Sequence, residues 1–352
     1  MSTAFAHDAA PALQGTASTY DGLYLRDNLK SQGTLPAVAP FNACPDIIQS
    51  STPVADPQKT FGTVSSWNTI YPTSPTPGKN YYYVRGLNGS TDDFDGEISL
   101  FWTPAQLILF PSTWKNNPLL TAAGSEGVKV QAAPGFVGVG NDGFVLDTGV
   151  ESLPNPNAFY SFVAQNNAAA IPTISSWLEM SQLLTQQMGI GFRNVLTFDP
   201  VNGPLLARMG FNIPMSIGES ATLQLTISTQ GIPAGDTIAL IGDCFTPEMK
   251  SILLQPMKTT GNSYVAGIQI DVDPGFNSSV AFQYWNTSGQ VPAAGSSLTL
   301  SVNYEVPQEK YGRALELGVL DSRYAQAPQT VGVGPQQIAP VGQVTYVVAA
   351  SS

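Results

Sequence analysis

The sequence predicts a mainly β chain, built as two antiparallel β-sandwiches with one packed helix and extended terminal arms. Three observations carry this. Short runs of β-branched and aromatic residues recur throughout, each bounded by Gly, Pro, Asn or Asp; the second half alternates apolar and polar residues; and one stretch alone has helical spacing. At 352 residues the chain has room for two domains.

Residues 1–19 are small and polar without a period and read as an N-terminal arm, which holds the single histidine, His7. A first sandwich is expected over 20–205. Gly22–Asn28 is a short strand closing in turn residues, and a Pro- and Ala-rich stretch then leads to Pro45-Asp46-Ile47-Ile48. Residues 51–79 contain Pro53, Pro57, Pro72, Pro75 and Pro77, which predicts a long ordered loop or sheet edge rather than a helix or central strand. Tyr81–Leu87 and Glu97–Trp102 are expected to pair as a hairpin across the polar turn between them. Alternation puts Tyr82 opposite Tyr81 and Tyr83, with one face on the core and the other free either to be exposed or to be covered. Leu107–Pro111 and Phe136–Val139 are further short apolar runs.

The helix is expected near 172–188, packed across the first sandwich. Ile174, Trp177, Leu178, Leu184 and Met188 lie close to one face, Pro172 suits the first turn and Gly189 suits the end. The second sandwich is expected over 210–306. Ala221–Ser228 alternates strictly, and 237–241, 264–272, 279–285 and 297–304 repeat the texture. A tail over 307–352 ends on the strand-like Gln343–Val348, with two destinations: a neighbour's sheet edge, where Val344, Tyr346 and Val348 would make assembly contacts, or a sheet of its own chain.

Composition narrows the chemistry. Only 11% of residues are charged, the net charge is −11, and the 14 Lys and Arg are scattered singly, which argues against a nucleic-acid surface. No run approaches the 18 apolar residues of a membrane-spanning helix, and the N-terminal residues lack a signal-peptide pattern, so a cytoplasmic, particle-associated or non-classically exported protein is expected. Cys44 and Cys244 lie far apart with no histidine near either, which argues against zinc and redox motifs and favours two isolated buried thiols. No cofactor is expected.

Gly138–Gly143 matches GxGxxG, but a strand follows where phosphate binding needs a helix, so a glycine-rich hairpin turn is expected. Asp92, Asp93 and Asp95, with Glu97, are the weak candidates for a cation site, although the EF-hand spacing fails because position one is Thr91 and position twelve Trp102. Asp236, Asp243, Asp271 and Asp273 read as turn residues. Glu97, Glu151, Glu179 and Glu219 keep a carboxylate glycoside hydrolase open as a minority reading, and Trp67, Trp114 and Trp285 are candidates for stacking on sugars if they sit near loop tips.

Tyr24, Arg26-Asp27-Asn28, Pro45-Asp46-Ile47-Ile48 and Tyr81-Tyr82-Tyr83-Val84-Arg85-Gly86-Leu87-Asn88 together resemble a recurring segment of uncharacterised bacterial proteins with an N-terminal immunoglobulin-like β-sandwich. The resemblance covers about residues 20–200, departs at Cys44, where a serine is expected, and implies a binding or assembly module without any carried-over site residue. Both sandwiches are expected to be of the immunoglobulin-like or jelly-roll-like kind.

The leading expectation is a non-enzymatic structural subunit of a self-assembling homo-oligomer: a filament, fibre or particle coat. A surface-recognition module is the alternative, an adhesin, a lectin-like protein or a toxin-targeting part with a glycan or cell-surface ligand.

Overall fold

The computed structural model describes residues 18–37, 39–71, 75–76, 78–147, 160–200, 204–244, 252–261, 263–320 and 337–348. The expected N-terminal arm, His7 and Glu151 lie outside these, apart from Ser18 and Thr19.

In the first half, β1 (Ser18–Thr19), β2 (Leu23–Tyr24), β3 (Thr34–Leu35) and β4 (Ile47–Ser50) precede two short helices, α1 (Pro57–Phe61) and α2 (Val64–Trp67). Then come β5 (Lys79–Asn88), β6 (Phe94–Pro104), α3 (Pro111–Trp114), β7 (Leu120–Thr121) and β8 (Gly127–Ala132). After β9 (Val137–Val139), β10 (Phe144–Asp147) and β11 (Tyr160–Asn166), α4 (Trp177–Gln186) leads to β12 (Ile190–Arg193). The second half contains β13 (Val195–Phe198), β14 (Leu205–Asn212), β15 (Ala221–Gln230), β16 (Thr237–Cys244) and β17 (Leu253–Lys258). It continues with β18 (Ser263–Val272), β19 (Asn277–Trp285), β20 (Ser297–Glu305), α5 (Tyr311–Glu316) and β21 (Ile338–Val348).

The chain is mainly β, in antiparallel sheets stacked as sandwiches. In the first, β5 is central: β2 and β4 pair with one edge, β9 and β10 with the other, and β7 extends the sheet beyond β10. The facing sheet has the order β12-β11-β6-β8. Leu23, Leu25, Ile47, Tyr82, Val84, Ile98, Leu100 and Phe162 fill the space between, with Tyr82 and Phe162 at 4.5 Å between ring centroids.

Several expectations are corrected here. Tyr81–Leu87 and Glu97–Trp102 do not form a hairpin; β5 and β6 lie in different sheets, because Tyr82 and Val84 face Ile98 and Leu100 across the core. The 51–79 stretch is not all loop. Asp56 caps α1 by accepting from the Lys59 N–H, and Pro57 occupies the first helical position, where its missing N–H costs nothing. The resulting lobe covers the second face of β5, so Tyr83 is buried against Phe61 instead of facing solvent. The GxGxxG stretch does not reverse the chain either: β9 and β10 run in succession along one edge of β5, joined through a kink at which a Cβ on Gly140 would sit 2.5 Å from Val128.

The second sandwich stacks β13-β21-β20-β15-β18 on β14-β19-β16-β17. Its strands alternate as expected, with Leu223, Leu225 and Ile227 facing Phe282 and Tyr284 within one core. Its limits differ from the expected 210–306. β13 and β14 enter it from before residue 210, and β21 enters it from the tail, pairing antiparallel with β20 and parallel with β13. Leu107–Phe110 is not a strand but an apolar plug in this same core, followed by α3, since Pro111 starts a helix better than it continues a ladder.

The helix α4 starts later than expected. Ser176 and Glu179 form a reciprocal capping box that places the start at Trp177, leaving Pro172 outside, and the helix ends at Gln186, capped by Gln187, before Gly189. Its buried residues, Trp177, Met180, Leu183 and Leu184, share one core with Phe101, Val163 and Phe192 of the first sandwich and with Tyr304 and Tyr346 of the second, so the helix packs against the first sandwich as expected and against the second as well; Trp177 stacks on Tyr304 at 6.0 Å. Among the described residues no helix is long and apolar enough to cross a membrane.

Candidate functional site

Alternation along β5 puts Arg85 on the same face as Tyr83, beneath the α1–α2 lobe, where it is fully buried. Asp46, just before β4, meets it there. Arg85 Nε donates to Asp46 Oδ1 at 3.0 Å. Arg26 follows β2 and closes the cluster: Nη2 donates to Asp46 Oδ1 at 2.6 Å, and Nε and the backbone N–H donate to Oδ2 at 3.1 and 2.8 Å. One carboxylate thus takes four hydrogen bonds from two guanidiniums and an amide, which is the condition for a buried ion pair to be tolerated.

The remaining donors hold the lobe. Arg85 Nη1 donates to the carbonyls of Phe61 (3.2 Å) and Ser66 (2.7 Å), the last turns of α1 and α2, where helix carbonyls have no intrahelical partner. The Arg26 guanidinium lies 3.3 Å from the centroid of the Trp67 ring. Burial lowers the pKa of Arg85 and the neighbouring Asp46 opposes this; arginine keeps its charge across the ordinary pH range. The cluster clamps the lobe onto the sandwich.

Beside it lies a second set of buried groups. Cys44 is a free, buried thiol, pushed far up in pKa by burial and then by Asp46, so it is held as the unreactive thiol. Arg193 donates to the Ala43 and Cys44 carbonyls. Asp27 is buried with no partner for Oδ2 among the described residues. Burial raises its pKa well above the carboxylate range, its own backbone N–H opposes this, and Asp46 adds to the rise.

The two sandwiches meet at Asn194. Its side chain donates to the carbonyls of Gln106 (3.0 Å) and Gln343 (3.1 Å) and accepts from the Ser161 hydroxyl (2.8 Å), while its backbone bonds Asn42 and Thr345. One buried amide therefore ties β11, the 105–107 segment and β21 together.

The residues singled out in the sequence separate. Asp92, Asp93 and Asp95 are exposed on the turn before β6 and at its start, where the Asp92 carbonyl accepts from Asn88 and Asp95 from Gln131. Among the described residues no three His, Cys, Asp or Glu side chains are grouped to hold a metal. Glu179 and Glu219 do come together, but at the first turn of α4. Glu179 accepts from the N–H groups of Ser175 and Ser176, and Glu219 accepts from the Trp177 N–H and pairs with Lys310. Burial pushes the Glu179 carboxyl up, yet the Ser175 and Ser176 bonds outweigh it and leave it below its ordinary value, the wrong direction for a general acid. Glu97 is exposed on β6, apart from both.

Trp114 is fully buried and Trp67 lies under Arg26, so neither is an open stacking platform; Trp285 is half-buried. Asp236 is no surface turn residue but a buried acceptor for the Tyr284 hydroxyl (2.8 Å) and the Ser288 N–H (3.0 Å). Asp271 and Asp273 accept from Thr222 and Ser220. The side chains of Asp243 and Cys244 lie outside the described part.

Val344, Tyr346 and Val348 are buried core positions of their own chain rather than positions on an exposed edge. The reason is geometric: β20 and β13 each offer an unpaired edge, and β21 fills the space between with its apolar side chains inward, Tyr346 stacking on Phe282 at 5.4 Å.

No protein-family model matches the chain, and no curated protein matches it. Among solved structures, red sea bream transglutaminase is similar over 82% of this chain at 9% identity and a TM-score of 0.19; the chain spans about a third (33%) of that protein's length. The CupB6 tip adhesin of Pseudomonas aeruginosa is similar over 88% of this chain and 97% of its own, at 8% identity and a TM-score of 0.17.

Proposed function

We propose that this protein is a non-enzymatic structural subunit that self-assembles into a repeating homo-oligomer. The observation that carries the reading is the set of large apolar side chains left outside: Val64 is 84% exposed, Met215 74%, Phe136 67% and Ile70 63%. Single exposed apolar residues are ordinary, but here three of them stand on adjoining segments of a chain in which only 11% of residues are charged. Val64 and Ile70 belong to the α1–α2 lobe, and Gln58 of the same lobe bonds Val137 and Val139, immediately after Phe136. Val64, Ile70 and Phe136 therefore lie on neighbouring segments, with the lobe held by the arginine clamp, as a rigid contact surface requires, whereas Met215 stands apart between β14 and β15.

The test is size-exclusion chromatography with light scattering and negative-stain microscopy on the full chain. Ordered particles of many copies are expected, and Val64→Ser with Phe136→Ser should shift them towards the monomer. A monodisperse monomer at concentrations up to about 1 mM, where even weak interfaces form, would remove the reading.

A further inference from the structure

The connection into β21 is far longer than its pairing needs. β20 and β21 are antiparallel neighbours, a relation that a loop of two to five residues satisfies, yet residues 306–337 lie between them. That stretch includes α5, whose Ala314 is buried, and then Val319, also buried, before residues 321–336, rich in Gly, Pro and Gln, lead back to Gln337, whose carbonyl accepts from the Val306 N–H. The last strand thus reaches its place through a connection much longer than a hairpin turn. Its seat has β20 on one side and β13 on the other, and Gly342 lets it pass the N-terminal half closely, since a Cβ there would sit 2.4 Å from the Leu107 carbonyl oxygen.

We propose that in the assembled protein the seat between β13 and β20 is filled by Ile338–Val348 of a second copy, the two chains exchanging their last strands; this rests on the self-assembly reading above. The exchange keeps every contact β21 makes within its own chain, so it is nearly neutral apart from the connection and the new interface. Reach is sufficient. Residues 321–336 span up to roughly 50 Å at about 3.3 Å per extended residue, comparable with the roughly 50 Å diameter expected for a compact chain of this length. Synthesis order favours it as well: β13 and β20 are complete before β21 exists, so the seat stands open as the last strand emerges.

The register supplies the test. Thr299 faces Thr345 across β20 and β21, with their hydroxyls 3.1 Å apart. Two differently tagged full-length copies, one Thr299→Cys and one Thr345→Cys, are co-expressed and oxidised, and the assembled fraction is run without reductant. Exchange predicts a disulfide carrying both tags in about half of the Thr299→Cys chains, as random mixing of two kinds of copy requires. Each variant co-expressed with an unsubstituted copy carrying the other tag should give no such band, which controls for Cys44 and Cys244. A single chain carrying both substitutions, if it closes internally within assembled particles, overturns the exchange and leaves self-assembly standing. Internal closure in a protein that is monomeric throughout overturns both. Ser297→Cys with Val347→Cys, also directly paired, repeats the experiment should the first pair fail to fold.

Discussion

The two sandwiches are held together by different means. In the second, β15, β18, β19 and β20 run nine or ten residues each, and long ladders with alternating apolar side chains set their register. In the first, the strands flanking β5 have two to four residues, too few for a ladder to position them. There a buried carboxylate with two arginines does the positioning, joining the ends of β2 and β4 to the centre of β5 and clamping the lobe above. Regular sheet is specified by apolar pattern; broken sheet needs directional polar contacts, which are sensitive to the loss of any one partner.

Removing the centre of that cluster should have the largest effect. Asp46→Ala leaves two buried guanidiniums facing each other, and a loss of about 3–5 kcal/mol is expected in chemical denaturation, with the near-ultraviolet signal of Trp67 altered first. A loss below about 1 kcal/mol, the range of a surface ion pair, would show that the short ladders of the first half position themselves. In the second half the matching change is Leu300→Ala, which empties a core position. About 2–4 kcal/mol is expected, with the Trp67 signal unchanged in the folded protein.

The same division decides what could be read from the sequence. β15, β18, β19 and β20 were legible because alternation is a local pattern that burial on one face demands. Arg26, Asp46 and Arg85 stand in separate sequence segments whose separations follow no period, and their meeting depends on β2 and β4 both pairing with β5 beneath the lobe. The helices α1 and α4 carried local signs that proline and face-counting outweighed: Asp56 before Pro57, and Ser176 three residues before Glu179. The site of β21 was not legible, since any unpaired edge satisfies a strand and only the packed core selects one.

Asp27 gives a smaller effect that depends on pH. Its carboxyl faces Asp46 and the un-ionised Cys44 thiol, with Arg26 and Arg193 engaged by other oxygens. Because its pKa is raised on folding, the native state keeps a proton that the unfolded chain has lost. Its contribution is therefore fully present below the unfolded carboxyl pKa of about 4 and is lost as pH rises towards the native value. Asp27→Asn cannot ionise. It should exceed the parent in urea midpoint at pH 7, the difference closing as pH falls towards 4, and parallel curves for the two proteins would mean that Asp27 is not held protonated.

The smallest effect is expected where several groups share one task. Ser176→Ala removes the hydroxyl that accepts from the Glu179 N–H at 3.3 Å, a change that ordinarily costs about 1 kcal/mol. Here the first turn of α4 has other acceptors: Glu219 takes the Trp177 N–H, and Glu179 still closes on Ser175 and Ser176. About 0.5 kcal/mol is therefore expected, the lower end of the capping range. Because α4 shares its core with Val163 and Phe192 as well as with Tyr304, the loss should appear as a lower urea midpoint of the whole protein. A cost above about 2 kcal/mol would mean that the helix start is a single-point support, as Asp46 is for the first sandwich.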